Sequence, residues 1–177
     1  MLLYANGDSH TAPDFGYVNI VAQEFNCDLI NQAQSGSSNA SILRRTREYL
    51  EHTTPDFIII GWSTWEREEW YHNDRYYTVT ASGTNSVPEE LANKYKQWVT
   101  EQTSDRQSEK SVEWHEYIYS FHLELEQKNI RHLFFNCMFD FIRKNQTYNW
   151  NSAYVEPYDK NQSFYKYLKN KGLRPDE

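Results

Sequence analysis

The sequence predicts an α/β domain, a three-layer α/β/α sandwich around a mainly parallel sheet of flavodoxin-like type. Three observations predict it. Short apolar runs alternate with segments of helical period. The run "DFIIIGWS" is apolar on both faces, as a central parallel strand must be. Each of the first three strands gives way at once to a loop carrying Gly and Ser.

Leu2 to Ala5 is short and apolar and runs into Gly7, as a buried strand entering a loop does. Val18, Val21, Ala22 and Phe25 then fall three and four apart, so an amphipathic helix is expected from residue 13 or 14 to 25. "CDLINQA" reads as the second strand. After "SGSSN", Ser38 or Asn39 can cap a helix whose inner face is Ile42, Leu43, Thr46, Tyr49 and Leu50, and Pro55 closes that segment. "DFIIIGWS" is the third strand. Residues 64–110 then lose any clean period: "YYTVTASG" is a β excursion, "PEELANKYKQWVTEQ" is helical and "TSDRQSEK" is a polar loop. Their Trp and Tyr content opposes disorder, so they are expected to form an insertion on the domain. Trp114, Ile118, Phe121 and Leu125 mark a helix over 112–128, and "IRHLFFNCM" is the next strand. A loop-rich stretch through Pro157 leads to a last helix in "KNQSFYKYLKNKG", with Gly172 as its C-terminal cap. At 177 residues, with no internal repeat, a single domain over 1–177 is expected.

Composition excludes several classes. Asp and Glu outnumber Lys and Arg by 25 to 18, so a nucleic-acid partner is not expected, and the basic cluster "LRRTRE" reads as the solvated face of a helix. Cys27 and Cys137 fit neither a disulfide scaffold nor a zinc pattern and read as buried free thiols in a reducing compartment. No run is long and apolar enough for a membrane span, and no basic segment followed by an apolar one opens the chain. A cytoplasmic setting is expected. No cofactor is expected, since no nucleotide-binding signature is present, and no metal, since the cysteines match no zinc spacing.

In a parallel α/β sheet, ligands bind at the carboxyl ends of the strands. Three polar loops fall there: "NGDSHT", "AQSGSSN" and "GWSTWER". A Ser on a tight turn after a strand is held with little freedom, but it needs a base and oxyanion donors to act as a nucleophile. Ser9 is the candidate nucleophile, the backbone N–H groups of Ser9 and Gly36 are candidate donors, and Ser63 or Asn39 can add a side-chain donor. Asp8 reads as a brace that accepts backbone N–H bonds in the turn. Asn39 serves equally well as a helix cap or a cleft residue. Trp62, Trp65, Trp70, Tyr71, Tyr76, Tyr77 and Trp98 form either a platform for sugar rings or, more simply, the insertion's own core. Glu66, within "EREE", can bring a carboxylate to the cleft.

"NGDSHT" resembles the first sequence block of the SGNH/GDSL hydrolases, in which Gly-Asp-Ser follows the first strand and the Ser is the nucleophile. "NQAQSGSSN" is similar to the second block, whose Gly donates to the oxyanion; that role carries over to Gly36. The third block usually reads Gly-x-Asn-Asp, and "IIIGWSTWE" keeps Gly61 but has Ser63 in place of the oxyanion Asn. The family's final Asp-x-x-His block has no counterpart up to "KGLRPDE". Phage-like and metagenomic members, similar over nearly the whole length including "WSTWEREEW", continue into a His-bearing segment. The resemblance implies a serine esterase or acetylesterase acting on a small-molecule or carbohydrate ester, with Ser9, Gly36 and Ser63 catalytic and Asp8, His10, Asn39, Trp62, Trp65 and Glu66 at the substrate. It also implies a base that is missing or supplied by a second polypeptide or protomer. The alternatives are a catalytically inactive carbohydrate- or protein-binding module, or a substitute base among the six His residues. Of these, His10 is expected to point away from the Ser9 hydroxyl. His115 and His122 share a helix face that solvent exposure explains as well, His132 opens a strand, and His52 and His72 have no supporting pattern. "GDSH" also resembles the Gly-Asp-x-His of metallophosphoesterases, with Asp8 and His10 on a metal, but that family's further ligand stretches are absent.

Overall fold

A computed structural model of the chain describes residues 1–14, 16–82, 87–143, 145 and 147–173. Strand β1 (Leu2–Asn6) leads through helix α1 (Tyr17–Glu24) to β2 (Asp28–Asn31), and α2 (Asn39–Leu50) returns to β3 (Phe57–Trp62). A hairpin of β4 (Glu68–His72) and β5 (Arg75–Val79) follows, then a short 3-10 turn at Glu89–Leu91 and α3 (Ala92–Thr100). The order ends with α4 (Ser104–Gln127), β6 (Arg131–Asn136) and α5 (Phe164–Asn170). The main sheet has the order β2-β1-β3-β6, and every pairing in it is parallel.

Strand alternation assigns each side chain to a face. Leu3 and Ile59 pack with Ala22 of α1 on one side. Tyr4, Ile58, Ile60 and Phe134 pack on the other with Ile42 of α2 and with Ile118, Phe121 and Leu125 of α4. Helices thus cover both faces, which explains why β3 is apolar at consecutive positions and is compatible with a three-layer sandwich. Among the described residues, no helix is long and apolar enough to cross a membrane, and neither cysteine is in a disulfide.

The helix ends differ from expectation for local reasons. Helix α1 starts only at Tyr17, behind Gly16, which offers no side-chain cap. It also stops before Phe25, which is exposed because Asn26 turns the chain at φ 48°. In α2 the cap is Ser38, whose Oγ accepts from the Ser41 N–H at 3.1 Å; Asn39 is the first helical residue, not the cap. Helix α5 ends in the expected glycine, with Gly172 at φ 74° and the Leu173 N–H returning to the Leu168 carbonyl at 3.0 Å.

The polar stretch "TSDRQSEK" is not a loop. It forms the first turns of α4, eight residues upstream of the expected start at residue 112. Thr103 Oγ1 accepts from the Arg106 N–H at 3.2 Å, and Arg106 pairs with Glu109 at 3.2 Å and with Glu113 at 2.9 Å. Lys110, buried at this end, meets Glu68 Oε1 at 2.6 Å. Charge pairing and a cap therefore hold helical a segment without apolar period. Thr103→Ala is expected to cost about 1 kcal/mol in urea denaturation; an unchanged midpoint would show the cap to be idle.

The aromatic cluster divides between two places. Trp70 and Trp98 stand edge to face at 5.8 Å and form a small core with Val79. Trp62 and Trp65 instead lie in the main core, which removes both from the expected substrate contacts. Tyr71 and Tyr76 are exposed. Residues 83–86, within the expected insertion, and 174–177, in the last quoted segment, lie outside the described residues.

Candidate active site

The chain steps from β1 outward to β2 and returns to the other side of β1 as β3, so strand order reverses between β1 and β3. In a parallel α/β sheet the loops leaving such neighbours diverge, and a ligand crevice is expected at their carboxyl ends. Backbone contacts draw the loops together there. The Gln34 N–H donates to the Gly7 carbonyl at 3.2 Å. A β-carbon on Gly7 would stand 3.0 Å from the Gly61 carbonyl, and one on Gly61 would stand 2.6 Å from Cys137 Sγ. Glycine at both positions permits this approach.

The turn after β1 is closed by the Thr11 N–H donating to the Asp8 carbonyl at 3.0 Å. Asp8 and Thr11 are fully buried, while Ser9 between them is exposed. Asp8 Oδ1 accepts from the His10 N–H at 3.0 Å and lies 3.1 Å from His10 Nδ1. Burial pushes the Asp8 pKa up, but these bonds from His10 outweigh it, and the net shift is downward. Asp8 thus braces the turn as an ionised carboxylate. His10 is tied to it through Nδ1 and packs edge-on against Phe164.

Gly36 adopts φ 79°, and a β-carbon there would meet nothing within 4 Å, so conformation rather than crowding calls for glycine. Asn39 is buried beside it, and its Oδ1 has no partner among the described residues. Ser63 is buried, and its Oγ accepts from Arg67 Nη1 at 3.0 Å, which leaves its own hydrogen to donate. Glu66 is exposed, with its N–H on Thr64 Oγ1 at 3.1 Å.

Two arginines were missed by sequence reasoning. Arg45 belongs to "LRRTRE", yet it is not on a solvated face: it is half-buried and donates to Ser37 Oγ at 2.8 Å and to Asn6 Oδ1 at 3.3 Å. Burial lowers its pKa from the ordinary arginine value, and repulsion from Arg44 adds to that. Its spacing of three from Ile42 sets it beside the inner stripe, and that was the available signal. Arg67 bridges two loops, since its Nη1 reaches both the Ser37 carbonyl at 3.2 Å and Ser63 Oγ.

The remaining imidazoles lie elsewhere. His115 and His122 are buried, not solvent-facing; His115 Nε2 meets the Tyr158 hydroxyl at 2.9 Å, and His122 Nδ1 meets His132 Nε2 at 2.8 Å. Among the described residues no imidazole hydrogen-bonds the Ser9 hydroxyl. One group of metal-type donors occurs among them, Asp8, His10 and Cys137, with atoms within 4.8 Å of one another. Zinc accepts such donors. Here burial, and then the Asp8 charge, push the Cys137 thiol well above its usual range, and Asp8 Oδ1 is already engaged by His10.

Neither family models nor curated proteins give a match to this chain.

Proposed function

We propose that the chain is a serine ester hydrolase of the SGNH type, acting in the cytoplasm on a small-molecule or carbohydrate ester. The observation that carries this reading is the exposure of Ser9 on a braced turn whose Gly7, Asp8 and Thr11 are buried, beside the loops of Gly36 and Ser63. In this reading the Ser9 hydroxyl attacks the ester carbonyl. The N–H groups of Ser9 and Gly36 receive the charge that develops on the carbonyl oxygen, and the Ser63 O–H adds a third donor. Residues 64–110 are then an insertion on a three-layer SGNH domain, and the proton acceptor comes from a second polypeptide or protomer.

A second reading, a silent carbohydrate- or protein-binding module, is favoured by the lack of an imidazole on the Ser9 hydroxyl among the described residues. A fluorophosphonate probe separates the two. Labelling of the wild-type chain that disappears in Ser9→Ala is expected for the hydrolase. Absence of labelling in both forms would overturn it in favour of the binding module.

A further inference from the structure

Two arginines of this protein hold a carboxylate along the Nε/Nη2 edge of the guanidinium. Arg44 places Nε and Nη2 on the two oxygens of Glu69 at 2.9 and 2.8 Å, and Arg47 turns the same edge to Glu124 at 3.1 and 2.9 Å. That edge carries two parallel N–H groups matched to a planar oxyanion. Arg67 spends only Nη1 on the protein, on Ser37 and Ser63, and its Nε and Nη2 meet no partner among the described residues. Its fork is therefore anchored at one corner and open along the other edge.

Charge makes the open fork more telling. The sequence has 25 acidic against 18 basic residues, yet among the described residues no carboxylate pairs with Arg67 or Arg45. Both guanidinium groups donate to the same residue, Ser37, one to its Oγ and the other to its carbonyl. Two like charges gathered on one residue, both half-buried, give up hydration, and neither has an ion-pair partner among the described residues. Arg45 Nε is also buried without a partner. An anion seated between the groups relieves both costs, and the anchor on Ser63 has already limited the side-chain entropy that binding would lose.

We propose that the open Nε/Nη2 edge of Arg67, supported by Arg45, binds a carboxylate carried by the ligand, so that the crevice takes acidic sugars and their esters in preference to neutral ones. This rests on reading the crevice as the ligand site, but not on Ser9 being a nucleophile. Arg67 is then a specificity-determining residue beside the donor Ser63.

The test is calorimetric titration of the full chain with glucuronate, glucose and inorganic phosphate at constant ionic strength. Glucuronate is expected to bind and glucose not to. Arg67→Gln is expected to weaken glucuronate binding about tenfold or more, with unchanged circular dichroism. Arg67→Lys keeps the charge without the fork and is expected to fail likewise. Arg67-dependent glucuronate binding by a chain that takes no fluorophosphonate label would remove the hydrolase reading alone. Equal binding of glucose, no binding of glucuronate, or full retention in Arg67→Gln would overturn the proposal, and binding of phosphate in place of glucuronate would overturn the carboxylate assignment.

Discussion

Trp62→Ala is expected to destabilise the protein by about 3–5 kcal/mol, measured by urea denaturation. Trp62 is the last residue of β3, is fully buried, and stands edge to face with Phe134 at 5.4 Å and with Phe121 at 6.3 Å. Truncation removes a large apolar surface where β3, β6 and α4 meet, and neighbours held by backbone ladders cannot collapse into the space. The contrast is Tyr71→Ala, on the exposed face of the hairpin, expected to stay within about 0.5 kcal/mol of the wild type. A cost below about 1 kcal/mol for Trp62→Ala would restore that side chain to the sugar platform considered from the sequence.

Acid is expected to weaken the fold through His115 before the carboxylates titrate. Its ring is buried, stacked on Phe141 at 4.3 Å, and burial lowers its pKa from 6.5 to about 4. Between those values the unfolded chain holds a proton that the folded one does not. Stability therefore falls as pH drops from about 6.5 to about 4, by up to about 3 kcal/mol, and this contribution is constant below that window. His132 shifts in the same direction, again through burial. Asp8, Glu68 and Glu124 are shifted down, so their contributions are lost only at lower pH. Denaturation of the wild type and His115→Gln at pH 7, 5.5 and 4 tests this. The gap between them should shrink as pH falls, and a gap independent of pH would refute the assignment.

Much of the sheet was legible because its information is local. The apolar run of β3, the Ser-rich cap of α2 and the Gly after α5 each carry a signal within a few residues. The first turns of α4 were not legible, because Arg106, Lys110 and their acidic partners stabilise them by pairing, which leaves no apolar period. For the site, the turn at Ser9 and the positive φ at Gly36 follow from residue type. The positions of Trp62, Arg45 and Arg67 do not: whether an aromatic ring faces a cleft or a core, and whether a guanidinium faces water or a loop, depends on elements distant in the chain.

The near-contact of Gly7 with the Gly61 carbonyl, and of Gly61 with the Cys137 sulfur, has a consequence for how this crevice can change. There is no side chain at Gly7 or Gly61 to trim or enlarge, and any addition there presses on the Thr11 side chain, the Phe135 ring and the Cys137 sulfur as well as on main chain. Variation in what the protein recognises is therefore confined to the rim, where exposed Ser9 and half-buried Arg67 stand on the loops.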